Sequence, residues 1–220
     1  MTMKPSQLAL ALSLAVAACH AEADRADATA QPALSPSTAP VVDAAAGLAR
    51  STTAATLDSA TPLAVGSTAP DFTVDAWLAG EPRSFQLAEA LKSGPVVLYF
   101  FPAAFTPGCN IEARLFSQAI DRFRAEGATV IGVTAGNADQ LQAFSSDNST
   151  CSGKFPVAAD PGAAVARNYG ALLASRPEWS SRTSFVIARD GRIAAVHSDS
   201  DPSMHVERML EGVAALQLQP

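Results

Sequence analysis

One cysteine, Cys109, lies in the stretch FFPAAFTPGCNIEA, residues 100–113, between an unbroken apolar run and a segment with helical patterning. The prolines and glycine of residues 102–108 make a short, defined loop, so Cys109 falls in the first turn of the helix that follows. Free backbone N–H groups and the positive end of the helix dipole favour an anion there. Such a setting lowers a thiol's pKa from about 8.5, and the thiolate is the nucleophile. The alternative is a small buried hydrophobe, since free cysteine is among the most buried residue types. Position alone leaves the two readings level. A thiolate that attacks a peroxide also needs a hydroxyl to hold the oxidant and a cation to offset developing negative charge. Thr106, three residues earlier in the same loop, can supply the hydroxyl.

Elements on either side must hold this loop in place. DFTVDAW (71–77) alternates like a strand, and RSFQLAEAL (83–91) passes from an extended piece into a helix. PVVLYFF (95–101) is apolar throughout, as expected of a central strand covered on both faces. After Cys109, Leu115, Ile120 and Phe123 recur at helical spacing up to Gly127, a good C-terminal cap. ATVIGVTA (128–135) predicts a second buried strand and NADQLQAFSS (137–146) a second helix. KFPVAAD (154–160) reads as a short edge segment, and PGAAVARNYG (161–170) as a third helix with proline near its start. RTSFVIARDGRIAAVHS (182–198) predicts a hairpin around Asp190-Gly191, and SMHVERMLEGVAAL (203–216) an amphipathic closing helix. The order implies an α/β, thioredoxin-like fold with a mixed central sheet flanked by helices.

Composition narrows the classes. The chain has 220 residues, a net charge of -6 and scattered basic residues, which argues against nucleic acid as a partner. Its three cysteines, Cys19, Cys109 and Cys151, are too few for a disulfide scaffold and match no zinc pattern, so no metal is expected. His197 and His205 flank an acidic turn and read as surface or strand-end residues; with a lone cysteine they make a poor copper site. Trp77 and Trp179 read as core or rim packing, and SRPEWSS (175–181) as a loop leading into Arg182 that helps shape the pocket entrance.

Residues 1–23 read as an export signal: Lys4 is followed by LALALSLAVAAC, too short to span a bilayer, which takes about 20 apolar residues. Val16-Ala17-Ala18-Cys19 resembles the lipobox of bacterial lipoproteins, with Cys19 as the lipidation site; ordinary cleavage after Ala23 is the alternative. Residues 24–61, rich in Ala, Ser, Thr, Pro and Asp with no aromatic residue, read as a flexible tether. The folded domain is expected over 62–220. Either signal implies export, to the periplasmic side of a bacterial membrane, with membrane contact only through the anchor.

Pro102-x-x-x-Thr106-x-x-Cys109 resembles the P-x-x-x-T/S-x-x-C signature of peroxiredoxins, and FTPGCNIEA is similar to the bacterioferritin-comigratory, or Q-type, branch. The resemblance runs from about residue 62 to 216 and includes VGSTAPDFTV, FPVAADPG and RTSFVIARDGRI. It implies that Arg182, just ahead of the late strand, is the catalytic arginine, and that Glu112 of the PGC-x-x-E pattern helps order the site. It further implies a hydroperoxide substrate, a sulfenic acid at Cys109, no cofactor, a thioredoxin-like reductant and a monomer. Many Q-type members carry a resolving cysteine five positions after the catalytic one, where this chain has Arg114. Other members place it in the region of Cys151, which the resemblance therefore makes the resolving thiol. A one-cysteine enzyme reduced by an external thiol is the alternative. Two rivals lie outside that chemistry. A thiol oxidoreductase would need C-x-x-C where the chain has Thr106-Pro107-Gly108-Cys109. A binding lipoprotein that has kept the fold would have no reason to retain Pro102, Thr106, Cys109 and Arg182 together.

Overall fold

The computed structural model describes residues 61–218. The signal segment, Cys19 and nearly all of the tether lie outside the described residues.

The chain starts with an antiparallel hairpin, β1 (Thr73–Leu78) and β2 (Glu81–Gln86), leading into α1 (Leu87–Ser93). Then come β3 (Val96–Phe100), α2 (Pro107–Ala125), β4 (Thr129–Thr134), α3 (Leu141–Ser146), β5 (Val157–Ala159) and α4 (Ala164–Asn168). A small hairpin of β6 (Leu172–Leu173) and β7 (Arg176–Ser180) precedes β8 (Thr183–Ile187), β9 (Ile193–Ser198) and α5 (His205–Gln217). The main sheet has seven strands in the order β2-β1-β5-β4-β3-β8-β9. β3, β4 and β5 pair in parallel, and the flanking pairs are antiparallel.

Strand alternation splits the core into two layers. Val97, Tyr99 and Phe101 face α2, α3 and α5, where Phe116, Phe123, Phe144, Met209 and Val213 meet them. Val96, Leu98 and Phe100 face the other way, onto Leu87 of α1, Val165 of α4 and Tyr169. β3 and β8 are buried at every position, which accounts for the unbroken apolar character of β3.

Two expectations are corrected. The 154–160 segment is not an edge: β5 sits inside the sheet, because the β1–β2 hairpin adds outside it through Ala76↔Ala158 and Trp77↔Val157. Its three residues are all buried, a covered-strand pattern too short to recognise. The 175–181 loop is largely strand β7. Charge and a proline hid it, and both are tolerated because β7 pairs on one side only. There Arg176 lies over the Trp179 ring at 4.2 Å.

Candidate active site

β3 ends at Phe100, and residues 101–106 cross its C-terminal end to the start of α2. The loop is fastened from below. Thr134 Oγ1 donates to the Pro102 carbonyl at 3.0 Å, while the Asn137 amide both donates to the Ala104 carbonyl and accepts from its N–H. Gly136 is needed beneath it, since a Cβ there would lie 2.2 Å from the Pro102 oxygen. Phe105 takes φ 59°, uncommon for a bulky residue, with its ring edge-on to Phe144.

Thr106 is the N-cap residue of α2, yet its hydroxyl donates back to the Ala103 carbonyl at 3.1 Å and caps no helix N–H. The first-turn amides of α2 are therefore left for a ligand. Cys109 sits in that turn, 1% exposed, just after the half-buried Thr106 and the exposed Pro107.

Arg182, entering β8, points its guanidinium into this turn. Nη2 donates to Cys109 Sγ at 3.5 Å, Nη1 pairs with Glu112 Oε2, and Nε donates to the Ser200 carbonyl at 3.0 Å. Burial opposes its charge, but Glu112 and Cys109 facing it raise its pKa above the ordinary arginine value. Gly108 gives the guanidinium room: a Cβ there would lie 2.9 Å from Nη2. Glu112 is wholly buried, and burial pushes its carboxyl up to about 8 although Arg182 pulls it down.

The structure thus brings Arg182 into direct contact with both Cys109 and Glu112, with Thr106 and Pro102 in the preceding loop. Cys151 is also buried, in the same core layer as Cys109, and both thiols are free. Burial pushes the Cys151 thiol well up. His205 is corrected: it is not a surface residue but completely buried at the start of α5, with Nδ1 2.8 Å from Ser184 Oγ and 3.6 Å from Glu112 Oε1. Asn137, Ser184, Ser200 and His205 carry no spacing signal, because they reach the site from distant elements. Among the described residues, no group of three His, Cys, Asp or Glu side chains is placed to hold a metal.

A thioredoxin-like sheet with a thiol at a helix start, an arginine on the sulfur and a carboxylate behind it defines a thiol peroxidase. The AhpC/TSA family model matches residues 65–196, and the chain belongs to that family, the peroxiredoxins. It is similar to the chloroplastic peroxiredoxin Q of Sedum lineare, 29% identical over 69% of this chain and 78% of the relative. The crystal structure of peroxidoxin BcpB from Mycobacterium tuberculosis superposes with a TM-score of 0.59 at 30% identity, over 69% of this chain and 97% of that one. AhpC of the same organism shares the fold, with a TM-score of 0.61 at 22% identity over 71% and 94% of the two chains. The protein is a peroxiredoxin, and its reaction is the reduction of hydroperoxides by thiol chemistry.

Proposed function

We propose that Cys109 is the attacking thiol of this peroxidase and that Cys151 resolves it. The observation that carries the reading is the Arg182 Nη2–Cys109 Sγ contact of 3.5 Å at the open end of α2. The peroxide sits between the Thr106 hydroxyl and the free first-turn amides, and Arg182 holds the sulfur as an anion. The thiolate attacks the terminal oxygen: an S–O bond forms, the O–O bond breaks, and the leaving oxygen takes a proton to give water or an alcohol. Cys151 then attacks the sulfenic sulfur, releasing water and leaving a Cys109–Cys151 disulfide. A thioredoxin-like dithiol reduces that disulfide by exchange.

Hydroperoxide consumption with a dithiol reductant, measured for the wild type and Cys109→Ser, tests the assignment. Loss of turnover in the variant is expected, and equal rates would overturn it.

The protein is further proposed to work as a monomer, exported and tethered through a lipid on Cys19. Export and the anchor rest on the lipobox-like residues 16–19 and the Ala-, Ser-, Thr- and Pro-rich stretch after them, and the monomer on the resemblance to the Q-type branch. Metabolic labelling with palmitate should mark the wild type and not Cys19→Ser; an unlabelled wild type would remove the anchor.

A further inference from the structure

Only one of the two Glu112 carboxyl oxygens is satisfied. Oε2 accepts from Arg182, whereas Oε1 has no hydrogen-bond partner among the described residues and faces His205 Nδ1 across 3.6 Å. Both side chains are completely buried. His205 Nε2 lies 3.0 Å from the Asp199 carbonyl oxygen, an atom that can only accept, so Nε2 carries the hydrogen. In a neutral ring Nδ1 is then an acceptor, already approached by the Ser184 hydroxyl at 2.8 Å. Without a further proton, Oε1 would be an unpaired carboxylate oxygen against the acceptor edge of a neutral imidazole, in a site closed to solvent, which is costly.

We infer that the buried Glu112–His205 pair keeps one proton, held at Glu112 Oε1 where it faces Nδ1, and that His205 is in this way a positioning residue for peroxide reduction. The proton keeps Glu112 from acting as a full counter-charge to Arg182 and leaves the guanidinium charge to the Cys109 thiolate. The inference rests on Cys109 being the attacking thiol.

The surroundings agree with one retained proton. α2 contributes Cys109 and Glu112, and Arg182 faces them from the start of β8. His197 of β9 lies edge-on to His205 with ring centroids 4.6 Å apart, Asp199 and Asp201 flank it from the following turn, and Tyr99 of β3 is close to Glu112. On α5 itself, Glu207 and Arg208 pair at the surface with Arg122 and Glu211, away from the cluster. Burial raises Glu112 to about 8 and lowers His205 to about 4, so near neutral pH the proton sits on the Glu112 oxygen. As pH rises through the Glu112 value, that proton leaves. Two anions, the thiolate and the carboxylate, then compete for one guanidinium.

Two independent readouts test this in a Cys151→Ser background: single-turnover reduction of hydrogen peroxide, and alkylation of Cys109 by iodoacetamide. Each is followed from about pH 6 to about pH 9.5. The wild-type peroxide rate should fall severalfold on the alkaline side, and the alkylation profile should inflect at the same pH. His205→Asn places an amide near the Nδ1 position, where it can donate to Glu112 without a solvent proton. It should move both features to lower pH by a unit or more and lower the peroxide rate at neutral pH by about three- to tenfold. Glu112→Gln has no carboxyl to titrate and should lack them. An alkaline limb missing from the wild type, or unmoved in a folded His205→Asn, would overturn the retained proton. If none of the proteins reduces peroxide while the alkylation profiles shift as described, the peroxidase assignment fails and the proton stands. Infrared spectroscopy of the wild type at neutral pH gives a further check. It should show a protonated carboxylic acid band missing from Glu112→Gln, and its absence in the wild type would also overturn the inference.

Discussion

At the Cys109 sulfur, one guanidinium answers to three partners. Arg182 spends Nη2 on Cys109, Nη1 on Glu112 and Nε on the Ser200 carbonyl, so its plane is fixed from three directions before any substrate arrives. Such preorganisation is how a charged donor stabilises developing charge without reorganising during the reaction. Gly108 is part of the same arrangement, because its missing side chain is what admits Nη2. Gly108→Ala should therefore lower kcat/KM for peroxide by about tenfold to a hundredfold, with the circular dichroism spectrum unchanged. A fully active variant would mean that the guanidinium position matters less than its charge. Of these residues, Cys109, Thr106, Arg182 and Glu112 were legible in the sequence, since three share one loop-and-helix signature and Arg182 precedes a recognisable strand. His205 was misread, because its only marker was an acidic turn nearby; what buries it is the packing of α5 over β8 and α2.

Among the elements, the segment between α3 and β5 sets the terms for the second thiol. Its sequence, SSDNSTCSGKFP, suggests a loop that opens cheaply, but the structure holds it by many bonds. Thr150 Oγ1 donates to the Phe144 carbonyl at 2.6 Å, and the Gly153 N–H to the Ser145 carbonyl at 2.9 Å. From α2, Arg114 donates to the Ser149 carbonyl and Arg124 to that of Lys154, while Lys154 donates back to the Ser117 carbonyl. Arg114 thus grips the loop from the position where many Q-type relatives would carry a cysteine. Cys151 is buried beneath this network, so exposing it requires local unfolding of the segment. After a stoichiometric peroxide pulse, intact mass should show the loss of two hydrogens in the wild type. Cys151→Ser should instead gain one oxygen as sulfenic acid, and a second, as sulfinic acid, only when further peroxide is added. Identical products from the two would remove Cys151 from the cycle. The fold's long elements were legible from periodicity. β5 and β7 were not, because a three-residue strand carries no period and a one-sided strand need not be apolar.

For the molecule as a whole, the seven-stranded sheet links this segment to a distant edge. β5 follows the Cys151 loop directly and is the strand on which the β1–β2 hairpin is hung. The hairpin also touches what precedes and forms the loop. Gly80 N–H donates to Ser145 Oγ and accepts, through its carbonyl, from the Gln142 amide, and a Cβ on Gly153 would come within 3.0 Å of the Ala79 Cβ. Any rearrangement that brings Cys151 out of the core therefore pulls on the hairpin from both ends of its turn. Trp77, opposite Val157 and packed against the layer that holds Cys151, lies on that path. Its indole is therefore placed to report such a rearrangement optically. In a Trp179→Phe background, emission should change when peroxide is added and recover with a dithiol. In Cys151→Ser the disulfide-linked change should be lost, so the timing of resolution can be followed without any label.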